Sequence, residues 1–176
     1  MSYLWKKNEK WNQWCDSKNC PVCRNLPQPD DYATIVETDA SWIEAHPNVP
    51  LKGTCYVMSK THAVELYDLS DENAFAFLKD VMITARTLKE VTGATKINYE
   101  IHGNTVPHLH LHLFPRYLVG DRFSDSVINP RLIDPPVYSG NEFQDFTEAM
   151  KKKISGAITW FLKSANREKK WVFSLF

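Results

Sequence analysis

The sequence predicts a single domain that mixes β-strands with α-helices, and three stretches carry the prediction. VPHLHLHLF (106–114) alternates leucine with histidine at the period of a half-buried strand. Residues 70–93 repeat apolar side chains at helical spacing, and residues 141–166 do so again. At 176 residues the chain is long enough to bury a sizeable core. Lys plus Arg equals Asp plus Glu at 21 each, so no net field recruits nucleic acid or an anionic membrane. Any anion must be held locally.

In chain order, residues 1–31 hold Trp5, Trp11 and Trp14 among lysines and asparagines, then CPVC at 20–23, then Pro27 and Pro29, and read as a docked arm. MSYLWKKNEKWNQW lacks the apolar stretch of a secretory signal, and no uninterrupted apolar run reaches the roughly 18 residues of a membrane span. The chain is therefore read as soluble and cytoplasmic. ATIVET (33–38) and TCYVMS (54–59) are rich in β-branched and aromatic residues and read as strands that pair antiparallel, joined through HPNVPLKG. Ser70 is placed to cap the following helix, Asp71 and Glu72 suit its positive first turn, and Gly93 suits the left-handed position past its end. Ala74, Leu78, Val81, Ala85 and Leu88 mark its buried stripe. TKINYEI (95–101) then alternates as a half-buried strand, with HGN (102–104) as its turn.

Strand 106–114 puts Leu109, Leu111 and Leu113 toward a core and sets His108, His110 and His112 in a row on the other face. Residues 115–140 carry four prolines and no sustained period, which predicts a long ordered loop or lid. Arg116, Arg122 and Arg131 lie on or near it, placed either to grip a polyphosphate or to sit in solvent. In the last helix Phe143, Phe146, Met150, Ile154, Ala157, Phe161 and Ala165 share one side. The seven Lys and Arg of residues 151–170, against one acid, form its wet face, and nucleic-acid binding is not expected.

Three imidazoles in register repel once protonated and fill a core less well than valine, so the row points to chemistry. One option is metal ligation, since HxH on a strand presents two donors to one ion. The other is nucleophilic attack on phosphorus by one ring nitrogen, its second N–H held by a backbone carbonyl. The neighbours Asn98 and Asn104 favour the second, because amide donors suit phosphate oxygens and ribose hydroxyls, whereas Glu100 is the lone nearby carboxylate. Cys15, Cys20, Cys23 and Cys55 are too few and too clustered for a disulfide scaffold. C-x-x-C at 20–23 reads as reduced thiols or as half of a zinc site that needs two more ligands.

HLHLHLF resembles the His-φ-His-φ-His-φ-φ signature of the histidine triad (HIT) superfamily of nucleotide hydrolases and transferases, φ being apolar. INYEIHGNTVPHLHLHLFPRY resembles its bacterial, dinucleoside-polyphosphate hydrolase-like branch, and SKTHAVELYDLSDEN (59–73) resembles the family's approach to its long helix. The likeness spans about Cys20 to Arg122, which divides the chain into an arm (1–19), a HIT-like domain (20–122) and a lid with a C-terminal helical extension (123–176). The implied fold is α+β: an antiparallel sheet of about five strands with a long helix packed on it, commonly as a homodimer.

By this resemblance His110 is the nucleophile that takes a nucleoside monophosphate as a phosphoramidate, and His112 hydrogen-bonds the α-phosphate. His108 lies at the edge of that site, Asn104 faces the bridging oxygen or leaving group, and Asn98 lies near phosphate or ribose. The implied substrate is a nucleoside polyphosphate or dinucleoside polyphosphate, and the chemistry requires no cofactor. The ribose-binding Asp or Asn of many relatives falls in SWIEAHPNVPLKG, where His46 and Asn48 are both candidates. Zinc-bearing relatives imply a structural zinc on Cys20, Cys23, His62 and His108 that pins the arm to the sheet, with Cys15 as a spare ligand and Cys55 in the core. Two other readings stand: a metal-dependent hydrolase with the row as its ligands, and a nucleotide-binding adaptor without turnover.

Overall fold

The computed structural model describes residues 9–24, 32–123 and 126–172, with side chains as far as residue 159. Trp5, Pro27, Pro29, Phe161, Ala165 and the basic side chains beyond Lys153 fall outside what is described. The elements are α1 (Glu9–Trp14), β1 (Ala33–Glu37), β2 (Ser41–Ala45), β3 (Cys55–Ser59), α2 (Asp71–Thr92), β4 (Lys96–Ile101), β5 (His110–Arg116) and α3 (Glu142–Val172). The five strands form one antiparallel sheet in the order β1-β2-β3-β5-β4, the α+β architecture expected.

The strands at 33–38 and 54–59 are not partners, as they were expected to be. β2 lies between them, pairing Ala45 with Ala33 on one side and Ser41 with Ser59 on the other. SWIEA holds an acid and an alanine, weak strand formers, and it becomes a strand because both neighbours satisfy its backbone. β4 also departs from its expected half-burial: Ile97 is buried, but Tyr99 and Ile101 are 55% and 41% exposed. It is an edge strand, and the helical layer covers the middle of the sheet.

Helix α2 begins and ends where its caps require. Ser70 Oγ accepts the Asn73 N–H at 3.3 Å, and Gly93 takes φ 70° while its N–H donates to the Lys89 carbonyl. Its face of Phe77, Val81, Ala85 and Leu88 packs with Ile43, Val57, Leu111 and Leu113 of the sheet. Phe146, Met150 and Ile154 of α3 extend the same core, α3 lying against α2 and β1. The opposite sheet face, free of both helices, presents Glu44, Tyr56, Met58, His110 and His112. Among the described residues no helix is long and apolar enough to cross a membrane.

The 115–140 segment is ordered by its own contacts: Phe123 and Ile128 bury with Leu51 and Phe114. The Asp121 carboxylate accepts Arg116 Nε–H at 2.6 Å and the Phe123 N–H at 2.8 Å. Arg122 donates to the carbonyls of Pro50, Leu132 and Asp134. Loop oxygens thus engage both guanidinium groups, Arg116 largely covered and Arg122 at the exposed surface. Gly53, where the chain turns into β3, has φ 89°, and a Cβ there would stand 2.7 Å from Thr92 Cγ2. Gly120 has φ 80° but open space. Gly53→Ala is expected to lower stability by about 2–4 kcal/mol, from left-handed strain plus overlap, against about 1 kcal/mol for Gly120→Ala. Urea unfolding of the two variants checks this difference.

Candidate functional site

The histidine row divides at its first member. Pro107 offers no N–H, and the His108 N–H closes a tight turn on the Val106 carbonyl at 2.9 Å, so β5 begins only at His110. His108 is 1% exposed and donates Nε2–H to the Ser59 carbonyl at 2.7 Å. Its Nδ1 then faces Cys20 Sγ at 3.4 Å, Cys23 Sγ at 3.6 Å and His62 Nδ1 at 3.3 Å. His62 is oriented likewise, its Nε2–H donating to the Cys15 carbonyl at 2.8 Å. Cys15 thus contributes a carbonyl, and its sulfur stays outside the cluster.

The four ligand atoms of Cys20, Cys23, His62 and His108 lie within 4.8 Å of one another. Metal–ligand bonds of about 2.0–2.3 Å make tetrahedron edges of roughly 3.3–3.8 Å, so the sulfur–nitrogen and nitrogen–nitrogen spacings suit a tetrahedral ion such as zinc. Both carbonyl bonds fix the tautomer that turns a lone pair inward. Burial lowers the His108 pKa to about 4, keeping the ring neutral at pH 7. Burial and the neighbouring Cys20 thiol push Cys23 up to about 11, so this thiol resists ionising unless a cation sits beside it. The helical turn in which Arg24 N–H bonds the Cys20 carbonyl brings the two sulfurs to one side. Trp11 Nε1–H donates to the Gly103 carbonyl at 2.9 Å and fastens the arm a second time.

His110 and His112 open instead into a pocket of about 430 Å³ whose walls include Trp14 and Val22 of the arm, with Tyr32, Glu44 and Tyr56. His110 Nδ1–H donates to the His108 carbonyl at 2.7 Å, leaving Nε2 as the ring's lone-pair nitrogen. Burial lowers its pKa, which keeps that lone pair unprotonated. The His112 ring centroid lies 5.1 Å from that of His110 and 5.0 Å from Tyr56, meeting the tyrosine edge-on. Neither His112 nitrogen has a hydrogen-bond partner among the described residues. Such orphaned groups cost about 1–3 kcal/mol and are tolerated where a ligand completes them.

Of the other expected site residues, Asn104 is exposed in the turn after β4, off the pocket lining. Asn98, opposite Phe114 on the edge strand, accepts from Lys96 Nζ at 2.8 Å. His46 Nδ1 accepts the Asn48 N–H at 2.9 Å, and its ring stacks 4.5 Å from Tyr32, so it reaches the pocket wall through that tyrosine. Sequence reasoning missed Glu44, Tyr32, Tyr56 and also His102, which bonds Glu100 at 2.9 Å and lies 4.9 Å from the His112 ring. The signal was present in β2: Trp42 and Glu44 alternate with Ile43 and Ala45, and Glu44 pairs with Tyr56, which pairs with His112.

The model of the HIT domain matches residues 30–119, just over half of the chain. The chain belongs to the HIT domain family. This HIT-domain chain is 26% identical over 146 residues to Protein hit of Bacillus subtilis, covering 80% of this chain and 98% of that one. It is similar to a histidine triad protein from Bradyrhizobium japonicum, with 26% identity, a TM-score of 0.57, and 71% and 92% of the two chains covered. It shares its fold with a zinc-bound histidine triad family protein from Mycobacterium smegmatis, at 22% identity, a TM-score of 0.57, and 82% and 99% coverage.

His112 titrates near 6.5 when unfolded, whereas burial, then His110 and His102, take it to about 3 in the fold. Between those values the unfolded chain binds more protons, so acid erodes stability by up to about 1.4 kcal/mol per pH unit from this group. His112→Leu removes both the orphaned nitrogens and this slope. The variant is expected to exceed wild type by about 1 kcal/mol at pH 7, with the margin widening as pH falls toward 5. Urea unfolding at the two pH values measures it.

Proposed function

We propose that the protein is a nucleotide hydrolase or nucleotidyltransferase acting at a phosphorus that bears a nucleoside monophosphate, within a nucleoside polyphosphate or dinucleoside polyphosphate. The observation that carries the reading is the His110 ring, anchored at Nδ1 by the His108 carbonyl and beside a His112 whose nitrogens lack partners. The His110 Nε2 lone pair forms the N–P bond as the P–O bond to the leaving group breaks, and the leaving group takes a proton from solvent. Water then adds to phosphorus and breaks the P–N bond, giving up a proton to solvent and returning His110 with its free lone pair. His112 donates to a phosphoryl oxygen, and Asn104, on its exposed turn, meets the leaving group. Asn98 and either His46 or Asn48 serve phosphate or ribose at the periphery. The row as a set of catalytic metal ligands is the weaker reading, because His108 is turned into the cysteine cluster and His110 toward a backbone carbonyl.

The Cys20, Cys23, His62 and His108 set is proposed to hold a structural zinc, in keeping with the zinc-bound Mycobacterium smegmatis relative. Zinc there supplies folding energy and ties the arm, and with it the Trp14 and Val22 wall of the pocket, to the sheet. A homodimer is proposed across the outer edge of β4, an edge strand on which Tyr99 and Ile101 stand exposed. Balanced charge and free thiols fit a cytoplasmic setting.

His110→Ala is expected to fold normally and to lose turnover by about four orders of magnitude or more. Intact-protein mass spectrometry on quenched reactions with dinucleoside polyphosphates should give a nucleoside-monophosphate adduct on wild type alone. Tight binding without adduct or turnover would make the protein an adaptor. Metal analysis of the purified protein should find one zinc per chain, lost in Cys20→Ser. That loss should lower the melting temperature by about 5–10 °C.

A further inference from the structure

We propose that Glu44 reads the base of the bound nucleotide and selects guanine, whose edge carries two adjacent N–H donors. The inference rests on the nucleotide reading of the His110–His112 pocket. Glu44 stands on β2 on the face free of helices, is 8% exposed, and lines that pocket. Its Oε2 is fully buried and has no hydrogen-bond partner among the described residues. Among the described residues of the lining no lysine or arginine pairs with it.

A buried carboxyl with neither cation nor donor is among the costlier groups a core can hold, and an apolar side chain at this strand position would be cheaper. Burial raises its pKa, because the charged form is desolvated with no partner to offset the loss. The register says where that partner lies. Glu44 pairs with Tyr56 and Tyr56 with His112, so the carboxyl and the imidazole are two strand spacings apart, about 10 Å. That is the span from the phosphorus of a nucleoside monophosphate to the far edge of its base. Tyr56 lies between them in the register, and Tyr32, its ring centroid 6.4 Å from that of Tyr56, adds a second aromatic face to the pocket wall.

A carboxylate has acceptors only. Guanine N1–H and the N2 amino group present one donor to each oxygen, a bidentate charge-assisted pair. Adenine presents N1, an acceptor, beside its amino group, and would leave one carboxylate oxygen facing a lone pair. Hypoxanthine keeps N1–H but lacks the second donor.

Calorimetric titration of the full chain with GMP, IMP and AMP, wild type against Glu44→Gln, tests the assignment. Wild type is expected to bind GMP at least about tenfold more tightly than IMP or AMP. Glu44→Gln should weaken GMP about tenfold and strengthen AMP, because a carboxamide offers the one donor and one acceptor that match adenine. Wild-type binding that does not distinguish the three, or that favours AMP or IMP, overturns the role of Glu44 and leaves the nucleotide pocket standing. So does a folded Glu44→Gln with an unchanged GMP-to-AMP ratio. If none of the three binds, the nucleotide reading falls and this inference with it. The wild-type comparison stands without any variant.

Discussion

The side-chain parity of β5 is the constraint on which the rest depends. Leu111 and Leu113 are buried against α2, and because a strand alternates faces, that burial forces His110 and His112 to the opposite side. A slip of one residue would drive two imidazoles into an apolar core and two leucines onto the pocket floor. The core thus holds the register, and the register aims the chemistry. The cross-strand row Glu44–Tyr56–His112–Glu100 is a direct product of it. The same pairing sets both the spacing between His110 and His112 and the distance from them to Glu44.

His108 shows how one position can leave that pattern and serve it. Its escape from the ladder follows from the proline before it, and its backbone carbonyl still anchors His110 while its ring faces Cys20, Cys23 and His62. One residue therefore links the arm's attachment to the orientation of the next imidazole. Since Trp14 and Val22 are also pocket walls, the arm's docking and the pocket's shape are one arrangement. Distance along the chain hides this: His62 and Cys15 meet through a hydrogen bond across 47 residues.

Periodicity made much of this legible. The caps and stripe of α2, the leucine face of β5, the last helix and the cluster of Cys20, Cys23, His62 and His108 could all be written from residue types and spacing or from the family resemblance. What escaped has a common cause. β2 is a strand by tertiary pairing rather than by propensity, so the pairing of 33–38 with 54–59 was misread and Glu44 was overlooked. Arg116 and Arg122 were left between anion grip and solvated surface because nothing local reveals that Asp121 and a set of loop carbonyls will take their N–H groups. The exposure of Tyr99 and Ile101 was invisible for the same reason, since alternation reports two faces but not what covers them.

Most of the buried polar atoms without partners among the described residues lie on one face of the sheet. On the α2 side the core is apolar; Thr84 bonds the Asp80 carbonyl, Asp80 accepts from Thr38, and the Ser41 hydroxyl alone is buried without a partner among the described residues. On the other side lie both nitrogens of His112 and an oxygen of Glu44, all buried and all without partners among the described residues. Misfit would scatter such groups at random through a domain. Here the His112 and Glu44 atoms line one pocket, at its two ends, with the Tyr56 ring between them. A molecule that completes both ends must be anionic or acceptor-rich near the histidines, donor-bearing near the carboxyl, and flat between. Stability given up at those positions is regained on binding, so the helix face holds the fold while the open face remains unfinished until its ligand arrives.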